Sequence, residues 1–229
     1  MNYRTTARSS RSSTTIRRLR LLRRVLLTLS ASFGFFTVWT SPASAAYVTD
    51  NLVPTTSYSP ACRGSGPSVN ATICLTDNAE VYYYMDSSGE FELEADDRGI
   101  VDNNLDYEFR PTHLAFHYDS DPVFSGAGET DLIYQEGLVD SDFDGATWCN
   151  DAVDSATYRC DQSYVRIRGG GAYTINLACH ETGHAMGLTH GDFASPYIAN
   201  NDMRLGCMTT SSLTYDLGDN QVQNINSVY

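Results

Sequence analysis

Hydrophobic residues gather into a few short runs along this chain, and their spacing predicts its elements. Ala79 to Asp86 concentrates Val81, Tyr82, Tyr83, Tyr84 and Met85 between polar flanks, the composition of a strand. His113 to Tyr118, Asp131 to Gln135 and Ser163 to Arg168 read as three more strands. Leu93, Ile100, Val101 and Leu105 recur at roughly helical spacing, which predicts a helix over 92–107, with Gly99 weakening it. A second helix is expected over 173–187, after Gly169, Gly170 and Gly171, and a short closing helix over 219–228, packed by Val222, Ile225 and Val228. Residues 136–162 are acidic, carry two cysteines and are read as a long loop. Residues 46–78, rich in Thr, Ser, Pro and Gly, are read as an irregular N-terminal arm or short propeptide. Strands broken by helices without regular alternation predict one α+β domain over 79–229, with no internal repeat.

The first 45 residues have a different character. Eight arginines and no acid fill residues 1–24, an apolar run follows over 25–39, and Ala43-Ser44-Ala45 offers a small-residue cleavage site. This is the layout of a secretory signal peptide, cut before Ala46. The run is short of the ~20 residues a membrane span needs. Arg23-Arg24 leaves both the general and the twin-arginine export routes open. Removing the leader leaves seven arginines against 28 acids, a net charge near −21. Such a surface repels nucleic acid and anionic lipid, so neither is an expected partner. A secreted, extracellular monomer is the expectation. All six cysteines, Cys62, Cys74, Cys149, Cys160, Cys179 and Cys207, follow the leader. An even count in an exported chain implies disulfides, but six cysteines allow fifteen pairings. Cys62–Cys74 and Cys149–Cys160 would close short local loops.

The densest chemistry lies in residues 180–190, His-Glu-Thr-Gly-His-Ala-Met-Gly-Leu-Thr-His. On a helix His180 and His184 stack one turn apart on a single face, where two imidazole nitrogens can share one metal. Glu181 sits beside the first ligand, placed to hold a water. Gly187 suits the left-handed turn that ends the helix and returns His190 as a third ligand. Three protein ligands leave a fourth position open, as in catalytic zinc sites.

This stretch resembles the H-E-x-x-H-x-x-G-x-x-H motif of the metzincin metallopeptidases. Leu205-Gly206-Cys207-Met208-Thr209 resembles their downstream turn, in which a methionine lies beneath the histidines; Met208 is the matching residue. The resemblance implies a small twisted mixed sheet over a zinc-binding helix, with a cleft between two lobes. It also implies a secreted zinc endopeptidase with Glu181 as general base and acid. If the turn lies under the helix, Cys179 and Cys207 come close enough to form the third disulfide. A zinc-binding relative without activity would share these ligands, but an intact Glu181 argues against it. The residues after His190, Gly191 and Asp192, match none of the familiar branches, and small secreted bacterial relatives of this size carry Asp where this chain has His190.

Other candidates are weaker. Asp140, Asp142 and Asp144, followed by Gly145, resemble the first half of a calcium loop, so calcium is a possible second cofactor, against the plainer reading of an acidic surface loop. His113 and His117 share a strand face, where a second zinc site competes with ordinary polar or stacking roles. Asn70-Ala71-Thr72 fits a glycosylation acceptor. Pro60-Ala61-Cys62 only faintly matches a latency cysteine, and pairing with Cys74 explains Cys62 better. Tyr215 is read as structural rather than as a further metal ligand.

Overall fold

The computed structural model describes residues 49–67, 71–126, 128–140, 142–154, 156–211 and 216–229. The leader, Asn70 of the acceptor tripeptide and Tyr215 lie outside the described residues.

One sheet holds β1 (Leu75–Thr76), β2 (Glu80–Met85), β3 (Ala115–Tyr118), β4 (Leu132–Glu136), β5 (Gly145–Asp154) and β6 (Arg159–Ile167). The helices are α1 (Ala95–Asn104), α2 (Ile175–Ala185) and α3 (Asp219–Asn226). The sheet is mostly parallel: β2 pairs with β3 and β4, and β4 and β1 pair with β6, all in the parallel sense. Only β5 runs antiparallel, against β6. The architecture is mixed α and β with few helices, which fits the expected α+β class at that level.

Side-chain alternation explains the strands. In β6, Cys160, Gln162, Val165 and Ile167 are buried between half-buried neighbours, and in β2 Val81 and Tyr83 point inward while Glu80 and Tyr82 face out. β4, with Leu132, Ile133 and Tyr134 fully buried, is the apolar middle of the sheet. Parallel neighbours need a crossover, and α1 lies in the one between β2 and β3. Asp96 and Asp97 in its first turn suit the positive end of the helix. The expected 92–107 helix is shorter as regular α, and a wider turn over Leu105–Phe109 follows it, burying Leu105 and Phe109.

The expected loop over 136–162 is a correction. It contains β5 and the start of β6, which form a long hairpin. The register of β5 shifts at Cys149, Asp151 and Ala152, so bulges break its period of two and hide the strand from pattern reading.

The N-terminal arm is irregular but packed. Leu52 and Val53 are buried, Leu52 bridges to Leu188, and Asp50 bridges to Ser195. Asn51 donates to the Thr189 carbonyl at 2.7 Å and accepts from Asn224 at 2.8 Å. The arm therefore joins α3 to the segment that follows α2. The Thr182 hydroxyl, 3.1 Å from the Asn104 amide and 2.9 Å from the Tyr134 hydroxyl, pins α2 to α1 and to β4.

Candidate metal centre

α2 is capped by Thr174, whose hydroxyl accepts the Leu177 amide, and the chain turns away after it at Gly187 with φ +98°. A side chain at Gly187 would also meet Leu75, its Cβ lying 2.7 Å from Leu75 Cδ2. The turn carries the chain back so that His190 joins His180 and His184. Nε2 of His180 lies 3.1 Å from Nε2 of His184 and 3.1 Å from Nε2 of His190.

These short separations have a chemical meaning. His180 Nδ1–H donates to the Cys207 carbonyl at 2.7 Å, and His184 Nδ1–H donates to the Leu188 carbonyl at 2.8 Å. A neutral ring that donates from Nδ1 presents a bare lone pair at Nε2. Two lone pairs facing each other at 3.1 Å repel unless a cation lies between them. Nitrogens bound at about 2.0–2.1 Å and separated this far subtend roughly 100° at the ion, close to a tetrahedral angle. Burial, then the neighbouring rings of His180 and His190, hold the His184 pKa well down, although the Leu188 carbonyl opposes this. Burial and His180 bring His190 down to about 4, with Asp192 pulling the other way. Both rings therefore stay neutral and able to ligate. The three histidines can hold a metal ion.

Glu181 is 5% exposed and lines the same cleft. Burial raises its pKa, while His180 and the Thr147 hydroxyl lower it. Thr147 Oγ1, on β5, donates to Glu181 Oε2 at 2.7 Å and lies 2.9 Å from the Glu181 carbonyl. Gly145, also on β5, leaves the room this carboxylate occupies: a Cβ there would sit 2.6 Å from Oε1. Sequence reading missed both residues because their strand was taken for loop.

Met208 is fully buried beneath α2, where a Cβ on Gly183 would come within 2.3 Å of its sulfur. Gly206, at φ +55°, turns the chain so that Cys207 donates to the Asp216 carbonyl at 2.8 Å. Cys179 and Cys207 form a disulfide, as do Cys62–Cys74 and Cys149–Cys160. The Cys179–Cys207 bridge thus flanks a second link between the same two segments, the His180 to Cys207 hydrogen bond. Beside the histidines the cleft is walled by Tyr58, Ile73, Phe143 and Phe193 and by the Gly145–Thr147 stretch of β5. β5 pairs as a strand only with β6 among the described residues, and its Cys149 carbonyl accepts the Ser65 amide of the N-terminal arm at 2.8 Å.

No family model matches the chain, and no curated protein matches it. The centre stands on its own geometry.

The remaining candidates fall elsewhere. Asp140, Asp142 and Asp144 do not converge. They are not among the metal-ligating clusters of the described residues, and Arg168 pairs with Asp144 at 3.7 Å and donates to the carbonyls of Asp140 and Phe143. His117 pairs with Glu80 at 2.7 Å and packs on Tyr82, while His113 is exposed, and neither belongs to a metal-ligating cluster among the described residues. The sulfurs of Cys62, Cys74 and Cys149 lie close together but are committed to disulfides. An unforeseen cluster joins Asp77, Asp131 and Asp161. Burial pushes Asp131 up to about 7, the Tyr82 amide offsets part of this, and the charges of Asp77 and Asp161 add to it.

Proposed function

We propose that this chain is a zinc-dependent endopeptidase of the metzincin kind, exported to an oxidising compartment. The observation that carries the reading is the convergence of three imidazole Nε2 atoms beside one buried carboxylate in an open cleft. A nitrogen-only donor set with neutral rings suits zinc among the common metals. Three disulfides agree with an oxidising, extracellular setting, and no helix among the described residues is long and apolar enough to cross a membrane.

A zinc ion held by His180, His184 and His190 supplies Lewis acidity to a water and to a scissile carbonyl. The chain's own residues do the rest. Glu181 takes the proton of the attacking water and passes it to the leaving amine. Burial raises its affinity for that proton, and the Thr147 hydroxyl keeps Oε2 in place. The Gly145–Thr147 stretch of β5, which lines the cleft, can align an extended peptide by adding it as an antiparallel strand. The apolar walls at Tyr58, Ile73 and Phe193 favour a substrate with a hydrophobic side chain near the cleaved bond.

The test is cleavage of an unfolded protein such as casein, with zinc measured per chain. Glu181→Ala should keep one zinc and lose about 10²–10⁴ in turnover, the usual range for a positioned base. His184→Ala should lose the metal as well. Full activity in the glutamate variant would sink the mechanism. A folded, zinc-loaded chain that cleaves nothing would make this a zinc-binding module.

A further inference from the structure

We propose that the chain carries a second metal site, for a hard divalent cation such as calcium, built by Asp77, Asp131, Asp161 and Glu129. The four residues come from separate parts of the sequence. Asp77 follows β1, Glu129 and Asp131 precede β4, and Asp161 lies within β6. Parallel pairing of β1 and β4 with β6 brings them together.

One oxygen from each aspartate lies within 4.8 Å of the other two. Oxygens on opposite sides of one calcium ion are about 4.6–5.2 Å apart, twice a Ca–O bond of 2.3–2.6 Å. Three oxygens no more than 4.8 Å apart have a common centre at most about 2.8 Å from each, so shifts of a few tenths of an ångström bring all three onto one ion. No protein cation does this instead. The ion pairs among the described residues involve Glu80, Asp144 and Asp202, none of these four. Arg159, two residues before Asp161 on β6, directs Nη1 to the carbonyls of Thr76 and Asp77.

Glu129 is the independent observation. It is 7% exposed and lines the same cleft as the three aspartates. Its Oε1 accepts the Gly126 amide at 2.5 Å, but its Oε2 is buried with no hydrogen-bond partner. A buried carboxylate oxygen left unpaired is costly and calls for a partner. Five other carboxylates line this cleft with it, and the Asn78 amide there already donates to Asp77 Oδ1 at 2.7 Å. An all-oxygen, all-anionic donor set selects calcium-like ions over zinc. It is also separate from the Asp140–Asp144 loop, where Arg168 pairs with Asp144.

Such an ion would cross-link the end of β1, the approach to β4 and the middle of β6. A chelator that inactivates the protein would then act on two sites, so loss of activity alone would not report on the histidines.

The test uses the purified, oxidised protein, freed of divalent ions over a chelating resin and given back one equivalent of zinc. Calcium chloride is then titrated by calorimetry, and thermal unfolding is followed with and without it. One calcium should bind per chain, and at about 100 times Kd the midpoint should rise by roughly 5 °C or more. Asp161→Asn, on a half-buried residue, and Asp131→Asn, which keeps an acceptor for the Tyr82 amide, should each abolish binding and the rise. Zinc content and the circular dichroism spectrum should stay unchanged in these variants. Asp140→Asn/Asp142→Asn should bind calcium normally. No calcium binding at about 10 mM, well above the 10⁻⁴–10⁻³ M of extracellular modules, would overturn the proposal. So would binding that survives Asp161→Asn and Asp131→Asn, or that vanishes in Asp140→Asn/Asp142→Asn.

Discussion

Gly145→Ala isolates the placement of the proposed base from everything else at the centre. The residue has no left-handed backbone angle, so alanine is conformationally acceptable there. The difficulty is space. The new Cβ would lie 2.6 Å from Glu181 Oε1, 2.8 Å from Cγ and 2.9 Å from Cδ. Carbon–carbon contacts are comfortable at about 3.5–4.0 Å, so the carboxylate must retreat by roughly 0.5–1 Å or β5 must move away. Either response disturbs the 2.7 Å bond from Thr147 to Oε2. A misplacement of about 1 Å costs on the order of 10²-fold in rate, or about 2.7 kcal/mol of barrier. The histidines are not touched, so zinc should remain at one per chain. The assay is kcat on a quenched-fluorescent peptide, with zinc content and the unfolding midpoint measured on the same sample. A variant that holds its zinc, stays folded and turns over within twofold of the parent would refute the placement of Glu181 argued here.

Thr147→Val removes the hydroxyl that holds Glu181 while keeping the side chain's shape. A charge-assisted hydrogen bond of about 1.5–3 kcal/mol sets an upper bound, so kcat should fall roughly tenfold, and unchanged kcat would show that Thr147 does not position the carboxylate. Replacing both Cys179 and Cys207 by alanine opens a bridge spanning 28 residues, for which loop entropy gives about 3.6 kcal/mol. The unfolding midpoint should drop by about 7–14 °C, and a drop under about 2 °C would contradict the clamp. Asp97 is pushed up to about 6 by burial first, then by its hydrogen bond with Glu136 and by acidic neighbours. A carboxyl that holds its proton more tightly when folded contributes stability below its unfolded pKa of 3.8 and loses it as pH rises through about 6. Asp97→Asn should flatten the pH dependence of the midpoint between about 4 and 6, and an identical slope in the variant would exclude this group.

Much of the centre was legible in the sequence because its chemistry is local. His180, Glu181 and His184 lie within two turns of one helix, so spacing alone places them on one face. Gly187 announces the turn that returns His190, since few other residues accept φ +98°. Spacing suggested the two short-range disulfides among fifteen pairings, and the resemblance of the Met208 segment suggested the third. The tyrosine-rich strand, the apolar β4 and the three helices were visible in their periodicity, to within a few residues at each end. Tertiary structure decided the rest, wherever partners are far apart in the chain or a pattern is broken. β5 was hidden by its bulges and its acidic composition, and with it the two residues, Gly145 and Thr147, that give Glu181 its space and its hydrogen bond. The arm was read as irregular or as a short propeptide, yet its Asn51 and Leu52 hold the segment carrying His190. The acidic pattern around Asp140 suggested a cation, but Arg168 arrives from the end of β6 to occupy that loop. Asp77, Glu129, Asp131 and Asp161 form no motif, and only the stacking of parallel strands, a non-local pairing, brings their charges into one cleft.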